Sequence, residues 1–314
     1  MNFDLITMGR IGVDLYPEQV GVPLAEVRTF RKMLGGTATN VAVAAARLGR
    51  RTAVITKVGD DPFGGYIRGA LGEFGVDARF VGTDPSLRTP LAFCEIHPPD
   101  DFPLLFYRQP SAPDLQLAVS DLDADAVRAA GIFWVTGTGL SVEPSRATTL
   151  EALTWRDGET IVDLDWRPMF WEGSDPLRHK GSDPSALYRA AVARATVAVG
   201  NREEAGVAVG EGEPLEMARR LLELGPRLAI VKLGPRGVLA ATAEQHWVVP
   251  PVPVDVVNGL GAGDAFGGAL CHGLLSGWDV ERIVHFANAA GAVVASRLGC
   301  ADDMPTLEDV EARL

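Results

Sequence analysis

Short apolar runs alternate with longer amphipathic segments over most of this chain of 314 residues. The run TAVIT at residues 52–56 is β-branched and carries no charge, which is typical of a buried strand. The segment after Asp61-Pro62 stays amphipathic to Phe74 and begins as a capped helix does. Repetition of this pairing predicts βαβ units, and therefore an α/β fold with a doubly wound, mostly parallel sheet flanked by helices.

The same patterns place the remaining elements. Ser120 and Asp123 have the spacing of a capping box, so a helix is expected to begin at Ser120. The other predicted strands are residues 3–8, 132–135, 160–165, 197–199, 228–233, 238–241 and 246–249. The other predicted helices are residues 37–48, 144–153, 185–194, 214–224, 263–275 and 280–298.

One region departs from this alternation. Residues 90–108 contain two strand-like runs, PLAFCEI and PLLFYR, on either side of a turn at residues 97–101, which predicts a β-hairpin. Because helical signals are few there, a small inserted sheet fits better than a separate domain. Residues 1–314 are therefore predicted to form a single domain, in which the polar segment 173–184 is a loop.

Composition excludes several classes of partner. The chain has 29 Lys and Arg against 41 Asp and Glu, a net charge of −12, so no nucleic acid and no anionic membrane is expected to bind it. No apolar run approaches the roughly 20 residues that cross a bilayer, and the first residues, with Asp4, do not resemble a signal peptide. The three cysteines are far apart, which favours a reducing compartment, the cytoplasm.

A glycine-rich turn runs into a predicted helix at residues 259–266 (GLGAGDAF). Glycines let the backbone approach an anion, and free N–H groups at a helix N-terminus favour negative charge. Asp264 lies at that terminus. An ordinary tight turn with an acidic first turn explains the same letters, whereas a dinucleotide fingerprint usually follows the first strand. An anion hole beside a carboxylate is what phosphoryl transfer to an alcohol requires.

Three further motifs follow predicted strands or glycines. Gly35-Gly36 precede a small-residue helix that carries Asn40, which indicates either a ligand site or close packing of helix on sheet. Asn201 and Glu204 lie three residues apart, as oxygen ligands for Mg²⁺ through water or as an ordinary helix start. The run from Lys232 through Gly234 to Gly237 fits a nucleotide-binding turn or a plain hairpin.

Two arginines stand in positions where an acidic protein could bind an anion. Arg167 lies in the run DLDWRPMFW at residues 163–171, and Arg108 ends the predicted hairpin. Each guanidinium could fork onto a carboxylate or phosphate. Arg167 could instead pair with Asp163 or Asp165 of its own run.

Taken together, these motifs resemble the ribokinase-like (PfkB) family of carbohydrate kinases over nearly the whole chain. Gly35-Gly36 with Asn40, then Gly49 and Gly59, are similar to the family's N-terminal signature. The run GAGDAF at residues 261–266 is similar to its C-terminal signature. The resemblance implies a ribokinase-like fold with a small β-sheet lid, whose strands lie near residues 10–30 and 90–108, and the use of ATP and Mg²⁺.

The resemblance also implies a role for each matching residue. The reaction is expected to depend on a general base, Asp264, and an anion hole of backbone N–H groups from Gly261, Ala262 and Gly263. Mg²⁺ is expected to be ordered, through water, by Asn201 and Glu204. The residues implied to bind ATP are Asn201, Lys232, Gly234, Gly237, Gly261, Gly263 and Asn288. The residues expected to bind the substrate are Asp14, Gly35, Gly36, Asn40, Arg108, Arg167 and Asp264.

The sequence departs from the family pattern at Asn258 and Gly259, where most members have Asp-Thr. In many members that Asp helps to bind an activating K⁺, so the neutral amide of Asn258 makes a K⁺ site doubtful. Family members are often dimeric through the lid, and a homodimer of that kind is expected here.

One branch of the family, whose substrate is a keto sugar acid phosphorylated on its terminal C6 hydroxyl, is the most similar. The similarity is carried by MGRIGVDLYP at residues 8–17, RTFRK at 28–32, FCEI at 93–96 with PPDDFP at 98–103, and the run at 163–171. Arg108 and Arg167 would bind the acid, with Arg10 or Lys57 as further candidates. A kinase of 2-keto-3-deoxygluconate, a neutral-sugar kinase such as a fructokinase and a non-catalytic sugar sensor stay open.

Overall fold

The computed structural model describes residues 2–171 and 183–314, in which strands and helices alternate along the chain. The strands are β1 (Leu5–Met8), β2 (Gly12–Pro17), β3 (Phe30–Gly35), β4 (Thr52–Gly59), β5 (Val76–Asp77), β6 (Val81–Asp84), β7 (Leu91–Cys94), β8 (Leu104–Tyr107), β9 (Ile132–Thr136), β10 (Glu159–Asp163), β11 (Val197–Asn201), β12 (Leu228–Lys232), β13 (Val238–Ala241) and β14 (His246–Val249). The helices are α1 (Thr37–Arg47), α2 (Pro62–Glu73), α3 (Ala124–Ala129), α4 (Ser145–Ala152), α5 (Pro168–Trp171), α6 (Pro184–Val192), α7 (Arg202–Val209), α8 (Pro214–Glu223), α9 (Ala262–Leu275), α10 (Val280–Ala295) and α11 (Leu307–Glu311).

The larger sheet has the order β14-β13-β12-β11-β10-β9-β1-β4-β5, and β6 pairs with β4 beyond β5. Strands from β12 through β5 pair in parallel, whereas β13 and β14 return antiparallel at one edge. The parallel strands are buried on both faces because helices cover them. This is the mostly parallel, helix-flanked sheet that the sequence predicts, and it brings many strand ends to a common edge.

The two faces of this sheet carry separate apolar cores. Leu5 belongs to one core and Ile6 to the other, because successive side chains of a strand point to opposite faces. Helices α1, α9 and α10 pack on the first face, and α6 and α8 on the second. A side chain at Gly268 of α9 would overlap Ala44 of α1, so small residues set the close approach of these helices.

The smaller sheet has the order β3-β2-β7-β8. Strands β7 and β8 form the antiparallel hairpin that the sequence predicts within residues 90–108. Strand β7 pairs in parallel with β2, and β2 pairs antiparallel with β3. Strand β3 runs through Gly36 directly into α1, so the smaller sheet is joined to the first helix of the larger one.

Some predicted boundaries were wrong. Helix α3 begins at Ala124 and not at Ser120, because the carboxylate of Asp123 caps it by accepting the N–H of Ala126 at 2.9 Å. The strand predicted to reach residue 165 ends at Asp163. The predicted polar loop at 173–184 lies mostly in residues 172–182, which are outside the described part of the chain, and its last residue, Pro184, begins α6. Within that described part, no helix is both long and apolar enough to cross a membrane.

Candidate active site

A cavity of about 720 Å³ lies between the two sheets, at the carboxyl ends of the parallel strands. Strands β10 and β11 end at its wall with Asp163 and Asn201, and β2 of the smaller sheet contributes Asp14. Phe102 and Phe106, from the hairpin region, also line it. Ligands of open α/β sheets bind at this edge, so the cavity is the candidate active site.

The glycine-rich run forms the start of α9 at the cavity wall. Gly261 precedes the helix with φ of 83°, in the left-handed region that favours glycine. A side chain there would overlap the thiol of Cys300. The first N–H groups of a helix have no acceptor within it. The N–H of Ala262 makes only a long contact, 3.5 Å, with the carbonyl of Gly259, and that of Gly263 has no acceptor among the described residues, so both can donate to an anion in the cavity.

Asp264 lies in the first turn of α9, partly buried and facing the cavity. The amide of Asn40 donates to its Oδ2 at 2.8 Å, and the thiol of Cys300 lies 3.9 Å from the same oxygen. No donor among the described residues contacts Oδ1. Burial raises the pKa of Asp264 to about 6, against the hydrogen bond from Asn40 that lowers it. The carboxylate is therefore ionised at neutral pH and has one oxygen free to accept a proton.

Asn40 and Asp14 present polar atoms to the cavity beside this carboxylate. Asn40 is buried, and its Oδ1 has no hydrogen-bond partner in the described residues. Burial raises the pKa of Asp14 to about 7. Gly36 lines the cavity with φ of 103°, but Gly35 does not line it. A side chain at Gly35 would overlap the Asp14 carboxylate, so this glycine makes room for Asp14.

Asp165 holds a buried cluster at the end of β10. Its backbone has φ of 32°, which is uncommon for a residue with a side chain. Its carboxylate accepts a short hydrogen bond from Thr138, a bond of 3.2 Å from Thr37, and three from Arg10. Burial alone would raise the pKa of Asp165, but the neighbouring guanidinium groups outweigh it and the pKa is lowered.

The two arginines expected to bind an acid occupy different places. Arg167 lines the cavity and pairs with Asp165 at 3.2 Å, the alternative that the sequence left open, and with Glu204 at 3.4 Å. Arg108 does not line the cavity. Its guanidinium is buried against the carboxylate of Asp114, so it faces an internal partner.

Asn201 and Glu204 form a capping box at the start of α7. The side chain of Asn201 accepts the N–H of Glu204 at 2.9 Å, and Glu204 accepts the N–H of Asn201 at 2.6 Å. They are thus an ordinary helix start, and they also line the cavity. Mg²⁺ is usually held by one or two carboxylates together with water and substrate phosphates, so this pair fits a water-mediated Mg²⁺ site.

Beyond Glu204 the cavity is lined by the residues expected to face a nucleotide. Lys232 ends β12, with its ammonium close to Gly263. Burial would lower the pKa of Lys232, but nearby carboxylates, Asp163 foremost, outweigh it and raise the pKa. Gly234 and Gly237 line the same side with positive φ, and Asn288 of α10 donates to the carbonyl of Pro250 at 2.7 Å.

Asn258 is buried just before the glycine-rich turn. Its Nδ2 donates to the carbonyl of Leu298 at 2.7 Å, and its Oδ1 accepts the N–H of Leu260 at 3.0 Å. The amide therefore joins the turn to the segment that follows α10. A carboxylate could make only the second of these bonds.

Several residues of the cavity escape sequence reasoning. Arg10 was only a further candidate, and Lys57, its equal in that role, is absent from the cavity wall and pairs with Asp121 at 2.6 Å. Cys300 lies beside Asp264 but belongs to a stretch with no motif. Two phenylalanines of the hairpin region also line the cavity. Phe102 follows the polar turn and Phe106 lies in an apolar strand, so neither carries a signal for a binding site.

A helix N-terminus beside a partly buried carboxylate, in a cavity between two sheets, is the arrangement that phosphoryl transfer to an alcohol requires. The model of the pfkB family of carbohydrate kinases matches residues 2–307. The chain belongs to this family and is an ATP-binding sugar kinase.

Three similar proteins bear this out. The 5-dehydro-2-deoxygluconokinase of Clostridium perfringens is 32% identical over 320 residues, covering 99% of this chain and 92% of that one. A fructokinase double mutant from Vibrio cholerae O395, solved with fructose, ADP and a potassium ion, is 27% identical with a TM-score of 0.86, covering 100% and 99% of the two chains. The fructokinase of Xylella fastidiosa with bound ATP is 26% identical with a TM-score of 0.83, covering 98% and 97%.

Proposed function

We propose that this enzyme transfers the γ-phosphoryl group of ATP to the C6 hydroxyl of 5-dehydro-2-deoxy-D-gluconate, a step of myo-inositol degradation. The name of the Clostridium perfringens relative supports this substrate. The observation that carries the proposal is the Asp264 carboxylate at the N-terminus of α9, in a cavity that guanidinium groups also line. A sugar acid needs both features: a base for its hydroxyl and a cation for its carboxylate.

Asp264 acts as the general base. Its unpartnered Oδ1 accepts the proton of the C6 hydroxyl while the hydroxyl oxygen forms a bond to the γ-phosphorus, the bond from that phosphorus to the bridging oxygen breaks, and ADP leaves. Asn40 holds Oδ2 meanwhile. The N–H groups at residues 261–263 stabilise the negative charge that develops on the transferring phosphoryl oxygens. Asp14 and the free Oδ1 of Asn40 accept hydrogen bonds from sugar hydroxyls, which orients the substrate.

The nucleotide occupies the other side of the cavity. Lys232 pairs with its phosphates, and Gly234, Gly237 and Asn288 face the rest of it. Asn201 and Glu204 would hold Mg²⁺ through water, and that ion neutralises phosphate charge when it is bound. The amide of Asn258 already bridges two backbone segments, and we propose that turnover does not depend on K⁺.

Two other substrates share the same machinery. 2-Keto-3-deoxygluconate is nearly isomeric and would also use a guanidinium for its acid. Fructose is favoured by one observation, the fructose-bound relative of similar fold. A sugar sensor without activity is disfavoured by the presence of Asp264 and the glycines before it.

The test is ADP release by purified protein with Mg²⁺ and ATP. 5-Dehydro-2-deoxygluconate, 2-keto-3-deoxygluconate, fructose and ribose are each assayed with and without K⁺. We expect the first to have the highest kcat/KM by at least about tenfold, equal to about 1.4 kcal/mol of discrimination, and K⁺ to change nothing. If kcat/KM is higher for 2-keto-3-deoxygluconate or for fructose, that sugar is the substrate instead. No turnover of any of the four sugars supports the non-catalytic sensor.

A further inference from the structure

We propose that Arg10 binds the substrate carboxylate, and that Asp165 is the positioning residue that holds Arg10 for it. The inference rests on the proposed function, because it supposes an acid substrate. It differs from the expectation drawn from the sequence, which gave this role first to Arg108 and Arg167.

Arg10 is held rigidly at the cavity wall. It follows β1, is 7% exposed, and donates through Nε to Thr138 at 3.1 Å and through Nη2 to Thr37 at 2.6 Å. Nε and Nη2 also contact Asp165. Nη1 has no acceptor among the described residues, although the side chain lines the cavity. A guanidinium fixed on one side and free on the other is prepared to bind a planar anion with little loss of entropy.

The charge of Arg10 acts on the sugar side of the cavity. It is among the groups that lower the pKa of both Asp14 and Asp264, so it lies near the carboxylates that would receive the sugar hydroxyls. Arg167 is placed differently, because its Nη1 donates to the carbonyl of Trp166 at 2.7 Å and contacts Glu204 at 3.4 Å. The charge of Arg167 is therefore balanced by Glu204, one of the two residues proposed to hold Mg²⁺.

Asp165 is saturated and cannot itself bind the sugar well. Its carboxylate is shared by Arg10, Arg167, Thr37 and Thr138, and the residue is 1% exposed. The single negative charge of Asp165 thus faces the two positive charges of Arg10 and Arg167. One positive charge of this group is left over, and both guanidinium groups line the cavity. Asp165 contacts both arginines from a backbone with φ of 32°, a strained conformation that the surrounding contacts must maintain.

The other cations near the fold do not compete for this role. Arg108 is absent from the cavity wall and its charge is met by Asp114. Lys57 is absent from it too and is paired with Asp121. Arg108 does lower the pKa of Asp14 by its charge, but it does so from outside the cavity wall. Within residues 2–171 and 183–314, Arg10 thus combines a place in the cavity wall, a single carboxylate partner that it shares with Arg167, and an Nη1 without an acceptor.

The test compares Arg10→Gln, Arg10→Lys and the wild type on 5-dehydro-2-deoxygluconate and on fructose. Assays at pH 8 keep Asp264 ionised despite the lost charge. We expect Arg10→Gln to raise KM for the acid at least about tenfold, the loss of a hydrogen bond between charged groups, and to change KM for fructose and for ATP less than about twofold. Arg10→Lys should keep part of the affinity for the acid, since the charge remains without the fork.

Asp165→Asn and the double variant with Arg10→Gln test the positioning role. If Asp165 acts through Arg10, Asp165→Asn raises KM for the acid, and the double variant is no worse than Arg10→Gln alone. Additive losses would overturn that role. Arg108→Lys is the matched control, a guanidinium with an internal partner, and should leave the acid-to-fructose ratio unchanged.

The two proposals fail in different ways. A wild type that does not prefer the acid to fructose overturns the proposed function. A wild type that prefers the acid, with Arg10→Gln losing equally on both sugars, keeps the proposed function and overturns the role of Arg10. If Arg10→Gln does not fold, the same comparison is made with Arg10→Lys by titration calorimetry of the acid without ATP, and unchanged affinity overturns the inference.

Discussion

Asp264 shows how its surroundings prepare one side chain for chemistry. Burial brings its pKa to about 6, which is close to neutral pH and suits the general base that we propose it to be. Asn40 and Cys300 both contact Oδ2, which leaves Oδ1 without a donor among the described residues. The residue is thus oriented as well as tuned, and each property can be tested by itself.

Asp264→Asn should lower kcat by at least about 10²-fold, because a neutral amide cannot accept the hydroxyl proton. ATP binding, measured by calorimetry, should be largely kept, since the backbone donors of α9 stay in place. Asp279→Asn is the control, because Asp279 caps the neighbouring α10 and is absent from the cavity wall. Near-normal turnover by Asp264→Asn would show that another group is the base.

The pH profile should report the bond from Asn40. In the wild type, kcat/KM should fall as the pH drops below about 6, where Asp264 becomes protonated. Asn40→Ala removes a hydrogen bond that lowers this pKa, so the acidic limb should move to higher pH. Asn288→Ala, on the nucleotide side, should leave the limb where it is. If the acidic limb of the pH profile lies at the same pH in Asn40→Ala as in the wild type, the hydrogen bond from Asn40 does not lower the pKa of Asp264.

At this scale the sequence predicts what lies in one motif and misses what depends on distant partners. Asp264 and the glycines before it can be singled out because they stand together in one short run, and the family resemblance implies a role for that run. The bonds of Asp165 to Arg10 join residues 155 positions apart, and the sequence gives no sign that they meet. For the same reason the sequence predicts the same role for Arg108 and Arg167, because it does not show that Asp114 pairs with Arg108.

Among the elements, the smaller sheet has an edge strand with exposed apolar side chains. Strand β8 is an edge strand, and Leu105 and Tyr107 on it are 48% and 58% exposed. Edge strands with exposed apolar side chains favour pairing with another chain. The family resemblance pointed to the same sheet as a contact between two copies.

We therefore expect a homodimer in solution that Leu105→Glu converts to monomers, because a buried carboxylate would be unpaired in the contact. Light scattering after size exclusion measures the mass. Val248→Glu is the control, since Val248 is 61% exposed on β14, the edge strand of the other sheet. A wild type that is already monomeric, or equal effects of both variants, would exclude this contact.

The elements themselves were the most predictable part of the fold. Long periodic segments such as α9 and α10 lie where expected, because apolar spacing determines which face is buried. Strands β5 and β6 were missed, since runs of two and four residues carry too little pattern. The start of α3 was misplaced because Ser120 and Asp123 offered two capping positions, and only the packed structure selects one.

For the molecule as a whole, the cavity has a cost in stability. Burial raises the pKa of Asp163 to about 8, above its usual value of 3.8. Between these values the folded state holds a proton that the unfolded state has lost, so stability falls as the pH rises through this window. The same sign applies to Asp14 and Asp264, whose pKa values are also raised.

Asp163→Asn should therefore stabilise the protein in a pH-dependent way. At pH 5 the buried carboxyl is neutral and the amide resembles it, so the melting temperatures should be similar. At pH 8.5 the variant should melt above the wild type, by about 1.5 °C for each kcal/mol of stability gained in a chain of 314 residues. Calorimetry at both pH values measures this, and a difference that does not grow with pH would argue against the raised pKa.

The order of the cavity residues along the chain has a consequence for divergence. Arg10, Asp14 and Asn40, which we propose face the sugar, lie in the first forty residues, whereas Asn201, Lys232 and Asn288, which we propose face the nucleotide and its Mg²⁺, lie after residue 200, as does the proposed base Asp264. Variants selected at positions 8–40 for a new sugar should keep their KM for ATP. A lineage with this arrangement can explore new sugars by changing one end of its gene while the phosphate donor is handled as before.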